Sequence, residues 1–203
     1  MDKQIIINYT LQHDPKQTIT PMKLQKLLYY IKVWSLIAGT PLYDGEFCHW
    51  DYGPVDEEVY HQYKHYGRQS IPVPETPALI DNPESEILLD FILTAYQPHS
   101  AYTLSAMTHQ ELPWLNTARN AIIKNSDIIN YYQQHTFAQN FNPFDPQHKP
   151  FYPVQSNTWH AFTMDMNPED AEQHTQFSSF ASYKQELAQA QQELQHLFEN
   201  TNW

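Results

Sequence analysis

Apolar residues recur at three- and four-residue spacing in several separate stretches of the chain, a period that predicts a mainly α-helical protein. The clearest stretch opens at Thr20-Pro21 and closes at Gly39. Thr20 suits an N-cap, Pro21 is preset for the first turn, and Gly39 can adopt the left-handed conformation that ends a helix. Between them Leu24, Leu27, Leu28, Ile31, Trp34 and Ala38 form the stripe expected to face a core, with Lys23, Lys26 and Lys32 expected on the remaining surface. A change of period follows. Asp44-Gly45 among apolar neighbours predicts a short β-hairpin over Leu42–Tyr52. Pro54 is then expected to start a second helix carrying Val55, Val59, Tyr63 and Tyr66, closed by Gly67.

The segment IPVPETPALIDNP is interrupted by Pro72, Pro74, Pro77 and Pro83, which excludes a helix across it. Asn82-Pro83 has the look of a cap and first turn, leading to a stripe of Ile87, Leu88, Phe91, Ile92 and Ala95. Ser100 is expected to cap a further helix ending near Met107. Thr108 and Glu111 have capping-box spacing before a short helix around Pro113-Trp114. Ser126 is expected to cap a last helix with Ile128, Ile129 and Tyr132 on its apolar side. Beyond His135 the helical period disappears into a stretch rich in Phe, Pro, Asn and Gln. It returns after Ser178, where Tyr183, Leu187, Ala190, Leu194 and Leu197 make a seam of two heptads. The organisation expected is a helical domain over 1–135 with a short β-hairpin excursion, an irregular aromatic arm over 136–177, and a C-terminal helix over 178–203.

Composition narrows the class. The net charge is −12, split equally: residues 1–133 carry 9 Lys/Arg against 15 Asp/Glu, and residues 134–203 carry 2 against 8. Phosphate neutralisation dominates nucleic-acid affinity, so direct binding of nucleic acid is disfavoured, and complementary charge favours a basic protein partner. One cysteine, Cys48, excludes an internal disulfide and multi-cysteine zinc sites, which suits a reducing cytoplasm. The N-terminal run is too short for a signal peptide, and no apolar stretch reaches the length of a membrane span. The glycines all fall between Gly39 and Gly67 and form no phosphate-binding loop.

No catalytic constellation emerges. His61 and His65 have the i, i+4 spacing of a metal pair, but the sequence HQYKH lacks a general-base glutamate and sets Lys64 between them. Cys48 and His49 are adjacent, and adjacent strand residues point to opposite faces. The carboxylates Asp51, Asp56, Glu57 and Glu58 surround a helix start, where negative charge is favourable in its own right. The expectation is therefore a non-enzymatic protein without cofactor or metal.

Three longer motifs remain. Lys23–Tyr30 reads KLQKLLYY, Trp50–Val55 reads WDYGPV before Val59-Tyr60, and Leu104–Trp114 reads LSAMTHQELPW before Ala118-Arg119. With the closing helix Ser126–Tyr132, they resemble, in order and across the segment from Thr20 to Tyr132, the Panacea-domain family of SocA-like and phage-associated GepA-like antitoxins. The resemblance implies a mainly α-helical domain without enzymatic activity, whose members bind and neutralise a cognate protein toxin, or act as adaptors that deliver the toxin to a cytosolic protease; the remaining alternative is a phage or prophage accessory interaction protein without a toxin partner. It implies a binding surface rather than an active site. The candidate partner-binding residues in the domain are Trp50, Tyr52, Pro54, Tyr60, Thr108, His109 and Trp114, expected to line a recognition groove. The arm adds Phe144, Tyr152 and Trp159, since exposed aromatics often anchor interfaces.

Overall fold

The helix that opens at Pro21 is buried on every side, its lysines included, and becomes the axis of the helical domain. In a computed structural model of the chain, residues 2–134 are described, and the element order among them is α1 (Lys3–Gln12), α2 (Pro21–Ile37), β1 (Cys48–Trp50), β2 (Gly53–Val55), α3 (Glu57–Tyr63), a 3-10 turn (Lys64–Tyr66), α4 (Pro83–Tyr96), α5 (Ala101–Thr108), α6 (Leu112–Leu115) and α7 (Asn125–Tyr132). The fold is mainly α, with one two-stranded antiparallel hairpin among the described residues. The arm, the C-terminal seam and Phe144, Tyr152 and Trp159 lie outside the described residues.

Helix α2 begins as its sequence predicts. The Thr20 hydroxyl accepts from the Lys23 amide, Pro21 occupies the first turn, and Gly39 takes a positive φ of 71° just past the end. Elements α1, α3, α4, α5, α7 and β2 all pack against it. Tyr29, Tyr30, Val33 and Ser35 are consequently buried along with the expected stripe, because elements pack on α2 from all sides. The lysines depart from expectation: Lys23, Lys26 and Lys32 are only 7%, 1% and 5% exposed. Each finds an oxygen. Lys23 Nζ lies 3.5 Å from Thr18 Oγ1, Lys26 Nζ donates to Pro54 O at 2.8 Å, and Lys32 Nζ donates to Gly45 O. A buried ammonium without such a partner would cost several kcal/mol.

The hairpin turns later than Asp44-Gly45. Cys48 pairs with Val55, His49 with Pro54 and Trp50 with Gly53, so the turn is Asp51-Tyr52 and Gly45 instead packs against Tyr43 and Asp56. Pro54 is a strand residue, and Asp56 is the true cap of α3, its carboxylate accepting from the Glu58 and Val59 amides at 3.0 and 3.2 Å. The first helix, α1, has no counterpart among the expected elements; Asp2 caps it, and Ile6, Ile7, Thr10 and Leu11 enter the core.

The second half follows its caps more closely. Asn82 accepts from Glu84 and Ser100 from Thr103. On α4, Leu88, Phe91, Ile92 and Ala95 are buried as expected, whereas Ile87 is exposed. The capping box is not formed: Thr108 Oγ1 donates to Ser105 O, and Glu111 makes no side-chain cap. Nor does Ser126 cap α7, whose N-cap is Lys124.

Candidate functional site

The three motifs singled out in the sequence meet at the hairpin. From α2, Gln25 holds both backbone groups of Asp56, its amide donating to the carbonyl at 3.0 Å and its oxygen accepting from the amide at 2.8 Å. Lys26 holds Pro54 O a little earlier in the chain. From the α5–α6 segment, Ser105 Oγ donates to Tyr52 O at 2.9 Å, and Trp114 Nε1 donates to Trp50 O at 3.2 Å. The His109 ring spans Ser105 O at 2.6 Å and Asp51 O at 2.9 Å. Trp114 itself lies between the rings of His49 and His109, each 4.1 Å away. On the opposite edge, His49 and Phe47 exchange backbone hydrogen bonds with Asn120, Ala121 and Ile123. A two-stranded hairpin is marginal alone. Here the carbonyls of Trp50, Asp51, Tyr52 and Pro54 are all taken by side chains remote in sequence, from α2, α5 and α6 or the turn between them.

This geometry divides the expected recognition residues. Pro54 and Thr108 are buried beneath the turn. Gly53 has a φ of 95°, and a Cβ there would come within 2.5 Å of Thr108 Oγ1, so the motif needs glycine at this close approach. His109 and Trp114 are half-buried members of the clasp. Trp50, Tyr52 and Tyr60 face a groove of about 610 Å³ between the hairpin, the start of α2 and α3. Pro21, Met22 and Val55 supply more of its apolar wall, Trp50 and Tyr60 meet edge to face at 4.8 Å, and Tyr52 is 71% exposed. Its charged groups are Lys26, Lys64, Arg119 and Asp51, and Arg119 pairs with Asp51 at 2.7 Å.

Below the clasp lies a titratable cluster that the helical reading missed. Glu111 is 1% exposed, and Tyr30 Oη donates to its Oε1 at 2.7 Å, while the hydroxyls of Tyr29 and Tyr132 face the same carboxylate. Burial pushes the Glu111 carboxyl up to about 7, against the pull of these hydroxyls and of Lys26. Burial likewise lowers the Lys26 ammonium to about 7, with the nearby Glu111 charge opposing. Tyr30 also stacks on Tyr96 at 4.0 Å, and Tyr96 Oη accepts from Trp34 Nε1 at 2.7 Å. The available signal was the run of large residues outside the expected stripe, Tyr29, Tyr30 and Val33, which extends burial around α2.

Of the other chemistry considered, His61 lies on α3 and His65 in the 3-10 turn, with Lys64 Nζ 3.1 Å from His61 Nδ1. Among the described residues no group of three or more His, Cys, Asp or Glu is arranged to hold a metal ion. No helix among them is long and apolar enough to cross a membrane.

Residues 24–115 match the family model for the antitoxin SocA-like Panacea domain. The match covers the KLQKLLYY, WDYGPV and LSAMTHQELPW motifs, so all three parts of the clasp fall inside the family's domain or at its edge. A search of curated proteins gave no match, and neither did a search of solved structures.

Proposed function

We propose that this chain, through its SocA-like Panacea domain, is an antitoxin that binds and neutralises a cognate protein toxin by contact rather than by catalysis. The observation that carries the reading is the family match over residues 24–115, which spans the clasped hairpin. The groove beside that hairpin supports it. Rigid aromatic side chains on a preorganised scaffold lose little entropy on binding, which is what anchors an interface. Trp50, Tyr52 and Tyr60 have this character, and the clasp holds the strand and turn from which the first two project.

The test is to express the adjacent open reading frame with and without this protein. Growth arrest by the neighbour alone, relief on co-expression and co-purification of the pair support the reading. A harmless neighbour overturns it. If growth is relieved while the neighbour's level falls and no complex accumulates, delivery to a cytosolic protease replaces direct neutralisation.

A further inference from the structure

The charge along the groove runs opposite to the charge of the whole protein. The chain carries −12, yet the groove presents Lys64 and Arg119 at its rim and Lys26 at its floor, against the single carboxylate of Asp51. That carboxylate is already engaged by Arg119. Lys64 lies over the Tyr60 ring with its Nζ 5.9 Å from the centroid, so its charge stands beside the aromatic wall. Lys26 Nζ gives one N–H to Pro54 O and has further N–H groups beside it.

We infer that the groove receives an acidic segment of the partner protein, its carboxylates seating at Lys64 and at Arg119 and an adjacent apolar or aromatic side chain packing against the Trp50–Tyr60 pair. The inference rests on the proposed antitoxin reading for the partner's identity, and on the groove alone for its chemistry. The size fits: about 610 Å³ holds one or two large side chains with a stretch of backbone. The charge fits as well. An anion here escapes the repulsion that the rest of the surface imposes, because the local balance is positive, and the rim guanidinium keeps N–H donors beyond the one that Asp51 takes. Long-range steering by the acidic chain favours a partner that is basic overall, while the groove selects an acidic patch on it. The two requirements together define the partner more narrowly than net charge does.

The experiment has two arms, both using the full chain. The first measures fluorescence anisotropy of a labelled acidic peptide with Asp and Phe alternating, against the same peptide with Lys in place of Asp. The acidic probe is expected to bind about tenfold tighter or better, as a charge-assisted pair worth roughly 1.4 kcal/mol would give, and the Lys64→Glu/Arg119→Glu variant to lose that preference. A control reversal at exposed Lys16, away from the groove, is expected to keep it. Equal binding of both probes, or a preference for the basic one, overturns the proposal. The second arm repeats toxin rescue with the same variants. Rescue by the wild type and by Lys16→Glu but not by the double reversal supports it; undiminished rescue by the double reversal overturns it while leaving the antitoxin reading intact. If the neighbour is not toxic, the antitoxin reading fails and the peptide arm alone decides the groove's chemistry. Unchanged circular dichroism of each variant separates loss of binding from loss of fold.

Discussion

Replacing Glu111 with glutamine isolates the one carboxylate among the described residues that the fold raises so far. In the unfolded chain this group ionises near 4.5, whereas in the folded protein burial raises its midpoint to about 7. An acid held protonated by folding stabilises fully below its unfolded midpoint and progressively less as pH rises towards the folded one. The difference between the two midpoints amounts to about 3 kcal/mol, at roughly 1.36 kcal/mol for each pH unit. Wild-type stability is therefore expected to fall by about 3 kcal/mol between about pH 4.5 and 7.5 from this group alone. Glutamine has nearly the same shape and cannot ionise, so the contribution vanishes in Glu111→Gln. Over most of this window Lys26 is protonated in both states and its contribution largely cancels in the comparison. Thermal unfolding followed by circular dichroism at half-unit pH steps reads the effect directly. The two melting temperatures are expected to converge, or to cross, by roughly 10 °C across the window for a domain of this size. Parallel curves for wild type and variant would refute the buried-carboxylate account.

Four further outcomes follow from the same contacts. Gly53→Ala introduces a Cβ at 2.5 Å from Thr108 Oγ1 on a backbone with φ of 95°, and is expected to destabilise by about 2–4 kcal/mol in urea titration. Gly39→Ala, at φ 71° but in open space, is expected to cost only about 1 kcal/mol, so similar midpoints for the two would contradict the close-approach argument. Asp56→Ala removes the cap of α3, the acceptor of the Tyr43 hydroxyl at 2.8 Å and the ion pair to Lys3 at 3.1 Å, for an expected loss of about 2–4 kcal/mol in the same assay. Tyr30→Phe deletes the hydroxyl that donates to Glu111, which should shift the stability transition of the carboxyl to higher pH; carboxyl-labelled NMR titration checks the direction.

How much of this was legible in the sequence depends on the range of the interaction involved. Local signals worked: Thr20-Pro21, Asn82-Pro83 and Ser100 cap the helices they announce, because a cap is settled by near neighbours in the chain. Competition between a local signal and a tertiary one produced the errors. Asp44-Gly45 is a strong turn pair, yet Gly45 is used for close packing against Asp56, and the hairpin turn moves to Asp51-Tyr52, where Ser105 and His109 claim the carbonyls. Thr108 and Glu111 have capping-box spacing, but Glu111 turns inward to Tyr30. The lysines of α2 were misplaced for a related reason. A stripe locates a helix face only if another face meets water, and α2 has none. The recognition residues divide along the same line: motif spacing placed Trp50, Tyr52 and Tyr60 near one another, but could not show that Pro54 and Thr108 lie underneath them.

The all-round burial of α2 also decides where the chain can be cut. The helix lies in the first half of the domain, but α4, α5 and α7, which cover much of it, all come after the proline-rich connection at 71–83. That connection is largely exposed, and the backbone oxygens of Pro74 and Thr76 are both held by the Gln12 side chain. A break there leaves one fragment in which α2 keeps only α1, β2 and α3 against it, and another whose α4, α5 and α7 lack the helix they pack on. Each piece exposes apolar surface that the other buries, so a protein severed at this point would serve as a sensor of whether its halves have been brought together.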